Sequence, residues 1–276
     1  MPIDLKNVSF SYNTGTKLEK KALENVSMSI GRGEFVLIGG EIGSGKSTLI
    51  RHFNGLLKPT SGQVIVEGMQ AHNRQVKTKV GILFQFPQNQ LFSKTVYEDV
   101  AFGPSNIGIK DEELEKRVIK ALDMAGVREE LHKTSPFNLS GGEMRLAAIA
   151  GVLAMKPDYL VLDEPLSGLD PENQKSLILK LKKLHQEGIS IIIVSHRISE
   201  LLSFADRIFL MENGKITFDG RTEEYVNSLP STLPQIAALM RELRLKGIDV
   251  RDDIFTVEDA FDEIIRVQKE RMRQDS

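Results

Sequence analysis

The sequence predicts an α/β fold: a mixed sheet core, an antiparallel β part at the beginning, a helical insertion and a small helical C-terminal extension. Two stretches, Ile3–Phe10 and Ala22–Ile30, alternate apolar and polar residues, as half-buried strands do. Continuous apolar runs at 35–38, 159–162 and 191–194 are typical of parallel strands buried on both faces. Stretches with helical spacing separate these runs, which is the order expected of an α/β fold.

Composition limits the classes of protein to which the chain can belong. Its 276 residues are 41% apolar, enough for a sizeable core, and its formal net charge is −2. A charge this small gives no bulk attraction to nucleic acid or anionic lipid. The chain has no cysteine, which excludes disulfides and thiolate metal sites. Its N-terminus shows no signal-peptide pattern, and no apolar run approaches the roughly 20 residues of a membrane-spanning helix. We therefore expect a soluble chain that reaches a membrane only through a partner.

The first elements surround a glycine-rich segment. A turn at Gly31–Gly33 leads into the buried strand 35–38. A helix is expected to begin near Gly45 and to end around Gly55, because glycine commonly closes a helix. Gln63–Glu67 and Val80–Phe84 are predicted to be further strands.

The middle of the chain has helical character. Glu112–Ala125 carries apolar residues at helical spacing, and a second helix is predicted after Ser140, with Glu143 completing a capping box. The helix Pro171–Glu187 then joins the apolar strands at 159–162 and 190–194. Two short strands, Ile208–Met211 and Lys215–Asp219, are predicted to form a hairpin around Asn213-Gly214.

The last fifty residues are predicted to form two amphipathic helices. Pro234 suits the first position of one helix, Gly247 suits its C-terminal cap, and Thr256 suits the N-cap of the other. Both helices need a partner surface, either the main domain or another chain. The charged segment 266–276 is expected to be a solvated, frayed end. The predicted apolar faces consist of Ile236, Leu239, Met240 and Leu243 in the first helix and Val257, Phe261, Ile264 and Ile265 in the second.

The glycine-rich segment matches a phosphate-binding loop in full, with a buried strand before it and a helix after it. In such loops backbone N–H groups converge on phosphate oxygens, the lysine neutralises the β- and γ-phosphates, and the hydroxyl after it binds Mg²⁺. The N-terminal end of the following helix adds positive potential. A chance glycine-rich turn is the alternative, and the strand and helix around the segment argue against it. The residues predicted to hold the nucleotide are Gly40, Glu41, Ile42, Gly43, Ser44, Gly45, Lys46, Ser47 and Thr48.

Two carboxylates, Asp163 and Glu164, follow the apolar strand that begins at Tyr159. Asp163, at the strand's end, is placed to hold Mg²⁺. Glu164, one residue later, is placed to polarise an attacking water. An isolated Asp-Glu pair after a strand is more often a solvated turn, but the phosphate loop favours the catalytic interpretation.

Further motifs give the chain its family resemblance. Leu139-Ser140-Gly141-Gly142-Glu143, between the loop and the acidic pair, resembles the signature sequence of ABC ATPases. The resemblance covers nearly the whole chain. It implies an ATPase that uses ATP and Mg²⁺ and works as a pair of subunits. In that pair Ser140, Gly141, Gly142 and Glu143 contact the nucleotide held by the other subunit.

The resemblance also implies roles for four other residues. Gln85 matches the glutamine that senses Mg²⁺ and the γ-phosphate, and His196 matches the switch histidine at the γ-phosphate. Asp170 belongs to Ser167-Gly168-Leu169-Asp170, which matches the loop that crosses to the other subunit. Tyr12 matches the aromatic residue that stacks on adenine. Taken alone, each of these residues has a structural explanation as a core or surface residue, and their joint order favours the functional one. Together with Lys46 and Glu164, Gln85 and His196 are the predicted catalytic residues, while Ser47, Gln85 and Asp163 are the predicted Mg²⁺ ligands.

Within the family the chain is most similar to ATPases of energy-coupling-factor (ECF) importers of vitamins or metal ions. The similarity rests on Gln85–Phe92 and on the tail segments Leu233-Pro234, 243–250 and Thr256–Asp259. The resemblance implies a nucleotide-binding domain at 1–225, a helical subdomain at about 88–156, and an extension at 226–276 that pairs ATPase subunits. It implies a second ATPase subunit, identical or related, and membrane scaffold (T) and substrate-binding (S) components. The chain would then be peripheral, at the cytoplasmic face of the cell membrane, with no nucleic-acid partner.

The sequence departs from the family pattern at several positions. Glu143 stands where glutamine is common, Leu146 where a basic residue is common, and Arg197 where aspartate is frequent, while Glu41-Ile42 is an unusual pair in the phosphate loop. These departures suit one member of an unequal pair. Three alternatives to the ECF assignment stay open: the ATPase of another ABC transporter, a hydrolysis-poor nucleotide-binding half, and a soluble ABC regulator without a membrane partner. The transported substrate is not encoded in this chain.

Overall fold

The computed structural model describes residues 2–198, 201–228, 235–251, 254 and 257–274. The predicted cap residues Pro234 and Thr256, together with Leu233, lie outside this range. The strands are β1 (Ile3–Tyr12), β2 (Lys20–Ile30), β3 (Phe35–Gly39), β4 (Ser61–Val66), β5 (Met69–Gln70), β6 (Val80–Leu83), β7 (Tyr159–Asp163), β8 (Ser190–Ser195), β9 (Arg207–Glu212) and β10 (Lys215–Arg221).

The helices of four or more residues are α1 (Lys46–Phe53), α2 (Val76–Lys79), α3 (Val96–Asn106), α4 (Asp111–Ala125), α5 (Gly141–Leu153), α6 (Pro171–Gln186), α7 (Thr222–Ser228), α8 (Gln235–Leu245) and α9 (Val257–Gln274). Short 3₁₀ turns occur at Pro87–Asn89, Glu129–Leu131, Pro136–Asn138 and Leu202–Phe204. Across the described residues, no helix combines the length and the apolar character needed to cross a membrane.

The strands form two sheets, as the fold class predicts. One is a four-stranded sheet in the order β2-β1-β4-β5, and all its pairs are antiparallel. The other has six strands in the order β10-β9-β3-β8-β7-β6. Its pairs are parallel from β9 through β6, and β10 joins antiparallel as a hairpin with β9. The predicted mixed core and antiparallel part are therefore both confirmed.

The larger sheet is buried on both faces. Along β3, Phe35 and Leu37 contribute to the hydrophobic core shared with the helical insertion, while Val36 and Ile38 contribute to the core beneath the antiparallel sheet. All four side chains are fully or nearly fully buried. Because successive side chains of a strand point to opposite faces, a continuous apolar run is the pattern that covering both faces requires.

The helical insertion consists of α3, α4 and α5, which pack against one another. The predicted start of α5 is confirmed. The Ser140 side chain accepts a hydrogen bond from the Glu143 N–H, and the Glu143 side chain accepts one from the Ser140 N–H. This reciprocal arrangement satisfies two of the unpaired donors at a helix start. It also fixes the direction in which the helix presents its N-terminal end.

The C-terminal extension has a small core of its own, formed by Met240, Val250, Ile254, Ala260 and Val267. Gly247 follows α8 with a φ of 79°, and its N–H donates to the Arg244 carbonyl over 2.9 Å. That conformation is the helix-ending role predicted for Gly247. The two helices of the extension thus cover part of each other's apolar surface.

One expectation about the last helix is wrong. The segment predicted to be a frayed end is helical through Gln274, and Arg266 bridges to Glu263 and Glu270 one turn away on either side. Phe261, which belongs to the predicted apolar face, is 65% exposed within this chain. Glu263 is buried in its place, with hydrogen bonds from the Arg266 side chain and the Arg251 N–H. These donors, with Arg266 first, lower the pKa of Glu263 to about 2.

Candidate functional site

The predicted site residues follow four strands that end at one edge of the larger sheet. Gly39 at the end of β3 pairs with Ser195 at the end of β8. On the other side of β8, Val194 pairs with Asp163 at the end of β7, and β6 ends beside β7. The carboxyl ends of parallel strands form the crevice in which α/β folds bind ligands. The phosphate loop, Asp163-Glu164, His196 and the segment carrying Gln85 therefore emerge along one edge.

The loop between β3 and α1 is closely packed against the strands β2 and β9. Gly45, the residue before α1, has a φ of 106°, and a side chain there would lie 2.6 Å from the Ala22 carbonyl oxygen. A side chain at Gly40 would collide with the Met211 carbonyl. Only glycine fits such close backbone approach at positive φ. These close approaches fix the shape of the loop at both of its ends.

The Lys46 side chain is held in place by two carbonyls of the phosphate loop. Its Nζ donates to the carbonyls of Gly40 and Glu41, each over 2.7 Å, and the residue is only 6% exposed. Burial lowers the pKa of Lys46, against the opposing influence of Glu164 and Asp163. An ammonium carries three donors, and within the described chain two of the three have protein acceptors. Lys46 is therefore positioned to receive an anionic ligand.

The other loop residues line the same turn. Glu41, Ile42 and Gly43 are exposed at its tip. Ser44 is buried, and its Oγ has no hydrogen-bond partner among the described residues. Such orphaned polar atoms are costly unless a ligand or water satisfies them. The loop thus combines a buried cation, an unsatisfied hydroxyl and the start of α1, as a phosphate site requires.

The buried Asp163 carboxylate also has an oxygen that is placed to bind a ligand. It is 5% exposed, and burial raises its pKa even though the Ser47 hydroxyl donates a hydrogen bond to it. Its Oδ1 has no partner among the described residues. The described residues contain no cluster of three or more His, Asp or Glu that could enclose a metal ion. Mg²⁺, however, typically takes only one or two protein ligands, with waters and phosphates completing its octahedron. Ser47 and Asp163 fit that requirement, and Gln85 is exposed two residues beyond β6.

Glu164 is fixed by its neighbours on β8. Its φ of 49° is in the left-handed region, and its N–H donates to the Val194 carbonyl over 2.8 Å. Its Oε1 accepts from both the backbone N–H and Nδ1 of His196, at 2.9 and 2.8 Å, and its Oε2 accepts from the Ser195 hydroxyl at 3.1 Å. A carboxylate has about four acceptor positions, so it can accept a further bond. The arrangement orients the carboxylate that is predicted to act as the general base, and it couples that carboxylate to His196.

Tyr12 lies beside the helix that follows the phosphate loop. Its hydroxyl is 3.1 Å from the Thr48 hydroxyl, and its ring meets Phe10 edge to face with centroids 4.9 Å apart. Phe10 in turn meets His52 edge to face with centroids 5.0 Å apart. Tyr12 is therefore anchored next to α1. Its stacking on adenine remains a prediction.

His52 gives a prediction for the pH dependence of stability. It is fully buried, Nδ1 donates to the Thr48 carbonyl over 2.8 Å, and Nε2 has no partner among the described residues. Burial lowers the pKa of His52 below the ordinary histidine value of about 6.5. Below pH 6.5 the unfolded chain therefore binds a proton that the folded chain does not, and the free energy of unfolding falls as the pH falls.

The check is urea unfolding of wild type and His52→Phe between pH 7.5 and 5. Phenylalanine has a similar volume and does not titrate. The wild type is expected to lose up to about 1.4 kcal/mol more per pH unit than the variant. Equal pH slopes for the two proteins would contradict the assignment.

The signature segment, residues 139–143, forms a second, separate group with residues 167–170, the loop predicted to cross to the other subunit (the crossing loop). A cleft of about 220 Å³ is lined by Ser140, Gly142, Glu143, Arg145, Leu169 and Lys180, among others. Among the described residues, the side-chain hydrogen bonds of Ser140 and Glu143 go to each other's residue or to Arg128. None reaches the phosphate loop. The structure thus forms two groups. One contains the residues at the strand ends, and the other contains the signature segment and the crossing loop.

The crossing loop contains Asp170, and Arg145 ties the loop to the signature helix. The Asp170 side chain caps α6 by accepting from the Asn173 N–H over 3.0 Å. Arg145 is 7% exposed, and its Nη2 donates to the Ser167 carbonyl over 2.9 Å. Burial lowers the pKa of Arg145. This bond couples α5 to the loop carrying Asp170, so the two segments can move together.

Three residues at the site were missed by sequence reasoning. Ser195 holds Glu164, Arg145 holds the crossing loop, and Arg128 pairs with Glu143. Ser195 had an available signal, since it directly precedes His196 at a strand end. Arg128 and Arg145 had none, because their partners lie 15 and 22 residues away along the chain.

Known proteins resemble this chain along most of its length. A protein-family profile described as ABC transporter matches residues 23–167. A putative ABC transporter ATP-binding protein of Methanosarcina acetivorans is 48% identical over 268 residues, covering 97% of this chain and 95% of the relative. The energy-coupling factor transporter ATP-binding protein EcfA2 of Caldanaerobacter subterraneus is 44% identical over 278 residues, covering 96% and 97%.

Solved structures resemble the fold as well. CbiO1 of Clostridium perfringens, described as part of the ABC transporter complex CbiONQ, superposes with a TM-score of 0.75 at 36% identity, covering 88% of this chain and 94% of that one. A dimeric ATP-binding cassette in a post-hydrolysis state, bound to ADP and Pi, superposes with a TM-score of 0.72 at 31% identity, covering 80% and 98%.

Proposed function

The chain belongs to the ABC transporter family, and we propose that it is the ATP-binding and ATP-hydrolysing subunit of an ECF importer of vitamins or metal ions. The observation that carries the proposal is the convergence of Lys46, Asp163, Glu164 and His196 along one sheet edge. Two of its features are those of an ATP site: a buried cation in a glycine loop and a base oriented by a histidine. The similarity to EcfA2 proteins over nearly the whole length supports the ECF assignment.

The phosphate loop and α1 bind the triphosphate. Backbone N–H groups of the loop and the Lys46 ammonium receive the β- and γ-phosphates, and Tyr12 stacks on adenine. Ser47, Asp163 and Gln85 would hold Mg²⁺, which neutralises charge on the phosphates. Because Lys46 is buried, its interaction with phosphate is less screened by solvent than that of a surface lysine.

Glu164 acts as the base in the hydrolytic step. It accepts a proton from the water whose oxygen forms a bond to the γ-phosphorus, while the bond from that phosphorus to the β-phosphate oxygen breaks and leaves ADP. Ser195 and the His196 N–H keep the carboxylate oriented. His196 and Lys46 stabilise the charge on the transferred phosphoryl group. Orientation of this kind is what a general base requires before its basicity matters.

The proposed active unit is a head-to-tail pair of ATPase subunits, identical or related. Ser140, Gly141, Gly142 and Glu143 of one subunit face the nucleotide held by the other, and the N-terminal end of α5 contributes its dipole. Asp170 and its loop cross to the partner. The separation of the signature group from the phosphate loop within one chain supports this division. So does the dimeric cassette among the similar structures.

Two exposed apolar patches suit the proposed partners. Phe86, Phe92 and Phe102 are each about half exposed or more, and the rings of Phe92 and Phe102 meet edge to face at 4.7 Å. This patch follows Gln85 and is proposed to accept the transmembrane T component, which works with an S component. Exposed Val257 and Phe261 on α9 are proposed to pair ATPase subunits.

The proposal assigns domains and a location accordingly. Residues 1–225 form the nucleotide-binding domain, with a helical subdomain at about 88–156, and residues 226–276 form the pairing extension. The chain is peripheral, on the cytoplasmic face of the membrane. A second candidate is a hydrolysis-poor half of an unequal pair, and Glu143 and Leu146 in the signature region suit such inequality. The intact Glu164–His196 pair favours a hydrolysing subunit.

The proposal is tested by purifying the tagged full-length chain from its native membranes in detergent. We expect integral membrane proteins to co-purify and to be identified by mass. Replacing Phe86 and Phe92 by serine should abolish this association while ATP binding is retained. Leu18→Ser is the matched control, because Leu18 is an exposed apolar residue in the β1–β2 turn. Failure to co-purify any integral membrane protein, or unchanged association of the double variant, would contradict the importer assignment.

A further inference from the structure

The signature helix begins with a carboxylate where the family usually has an amide. Glu143 Oε2 accepts from the Ser140 N–H over 2.9 Å and from the Ser140 hydroxyl over 2.8 Å. Its Oε1 accepts from Arg128 Nη2 over 2.7 Å. These donors, the Ser140 backbone first, lower the pKa of Glu143. The side chain is therefore negatively charged in the resting protein and is engaged at both oxygens.

This carboxylate conflicts with the proposed use of the helix start. A helix N-terminus favours anions, and Glu143 already occupies that favourable position. The Ser140 hydroxyl has one proton, and it is donated to Glu143. An approaching γ-phosphate would therefore meet like charge and a hydroxyl whose proton is engaged. Repulsion between such charges increases as closure removes water from between them.

Arg128 provides the compensating charge. It lies between α4 and the 3₁₀ turn at Glu129–Leu131. Its side chain also forms an ion pair with Glu130 over 2.8 Å. Lys180 lines the cleft that contains Glu143, but the described part of the chain gives Glu143 an ion pair with Arg128 and with no other cation. An exposed ion pair of this kind adds little to folding stability. Its consequence is therefore expected in the binding of a charged ligand.

We propose that Arg128 is a positioning residue of the composite ATP site: it binds and neutralises Glu143, so that the start of α5 can accept the γ-phosphate of the nucleotide held by the partner subunit. The inference rests on the proposed function. It explains how this chain can carry glutamate in the signature and still activate the opposite site. It also predicts that substitution of Arg128 changes KM for ATP only while residue 143 is charged.

The test is a double-mutant cycle of wild type, Arg128→Gln, Glu143→Gln and the double variant, with KM for ATP and kcat measured on the full-length complex. Arg128→Gln should raise KM by about tenfold, within the range of coupling between contacting charges, and the increase should shrink in high salt. The double variant should have the same KM as Glu143→Gln alone, because the substitution of Arg128 has no further effect once residue 143 is uncharged. Arg128→Lys, which keeps the charge, should recover part of the loss.

Two controls separate this role from general effects. Lys116→Gln removes another exposed, ion-paired cation of the helical insertion and should leave KM unchanged. ATP binding to the isolated subunit, which uses its own phosphate loop, should be equal in all four proteins of the cycle.

The outcomes distinguish the inference from the function on which it rests. An Arg128→Gln effect of the same size with glutamine at position 143, or no effect in an active wild-type background, overturns the inference and leaves the proposed function standing. A wild-type complex that neither binds nor hydrolyses ATP overturns both.

Discussion

Replacing Glu164 by glutamine is expected to reduce ATP turnover at least about a hundredfold, the contribution typical of a general base. The amide keeps the volume of the side chain. Its oxygen can still accept from His196 and its NH2 group can donate to the Ser195 hydroxyl, but it cannot take a proton from water. The phosphate loop is untouched, so ATP binding should be retained. The pair of subunits that closes on ATP should then fail to reopen.

The measurement combines steady-state ATP turnover with light scattering in the presence of ATP and Mg²⁺. A stable dimer should appear with ATP and not with ADP. Glu187→Gln, at an exposed carboxylate just after α6, is the matched control and should behave as wild type. If the Glu164 variant hydrolysed ATP at the wild-type rate, the base would have to be another residue.

Much of this site could be predicted because its signals are local. A buried strand, a glycine loop and a helix follow one another within 20 residues of sequence, and each is determined by its own composition. The capping box at Ser140 and Glu143 needs only residues three apart. Parallel pairing then places the ends of β3, β6, β7 and β8 at one edge, whatever the details of their packing.

The tail shows why the sequence alone does not identify the helix face that is buried within the chain. Val257, Phe261 and Ile264 fit one helical stripe, and Ala260, Glu263, Ile264 and Val267 fit another. A glutamate argues against the second stripe when the sequence is considered alone. The structure buries Glu263 because Arg251 and Arg266 supply its hydrogen bonds, and a paired carboxylate can be buried where an isolated one cannot. That pairing is a tertiary contact and leaves no local pattern.

Arg128 illustrates the same limit at the functional site. Glu143 could be recognised as a departure from the family pattern, but the cation that pairs with it comes from another segment. Only the three-dimensional contact shows that the departure is compensated. The interpretation of Glu143 thereby changes from a mark of one member of an unequal pair to half of a matched ion pair.

Mixing two inactive variants is expected to restore ATP turnover, because each composite site takes its phosphate loop and its signature from different chains. Lys46→Ala removes the cation from the loop and leaves the signature intact. Gly141→Asp places a negative charge at the start of α5, where a side chain meets no atom within 4 Å. The fold should therefore tolerate Gly141→Asp, while the partner's γ-phosphate is repelled. Each variant alone should be nearly inactive.

In a one-to-one mixture, half of randomly formed dimers contain one chain of each kind, and each such dimer has one intact site. Turnover should then recover to roughly a quarter of the wild-type value if sites act independently. The control mixture pairs Lys46→Ala with the Lys46→Ala/Gly141→Asp double variant, which leaves every site damaged and should stay inactive. The assay is run where the wild-type chain alone turns over ATP. If the signature served the nucleotide of its own chain, every chain in the first mixture would also be defective, and no recovery could occur. Recovery in the first mixture and not in the second is therefore possible only for a site shared between two subunits.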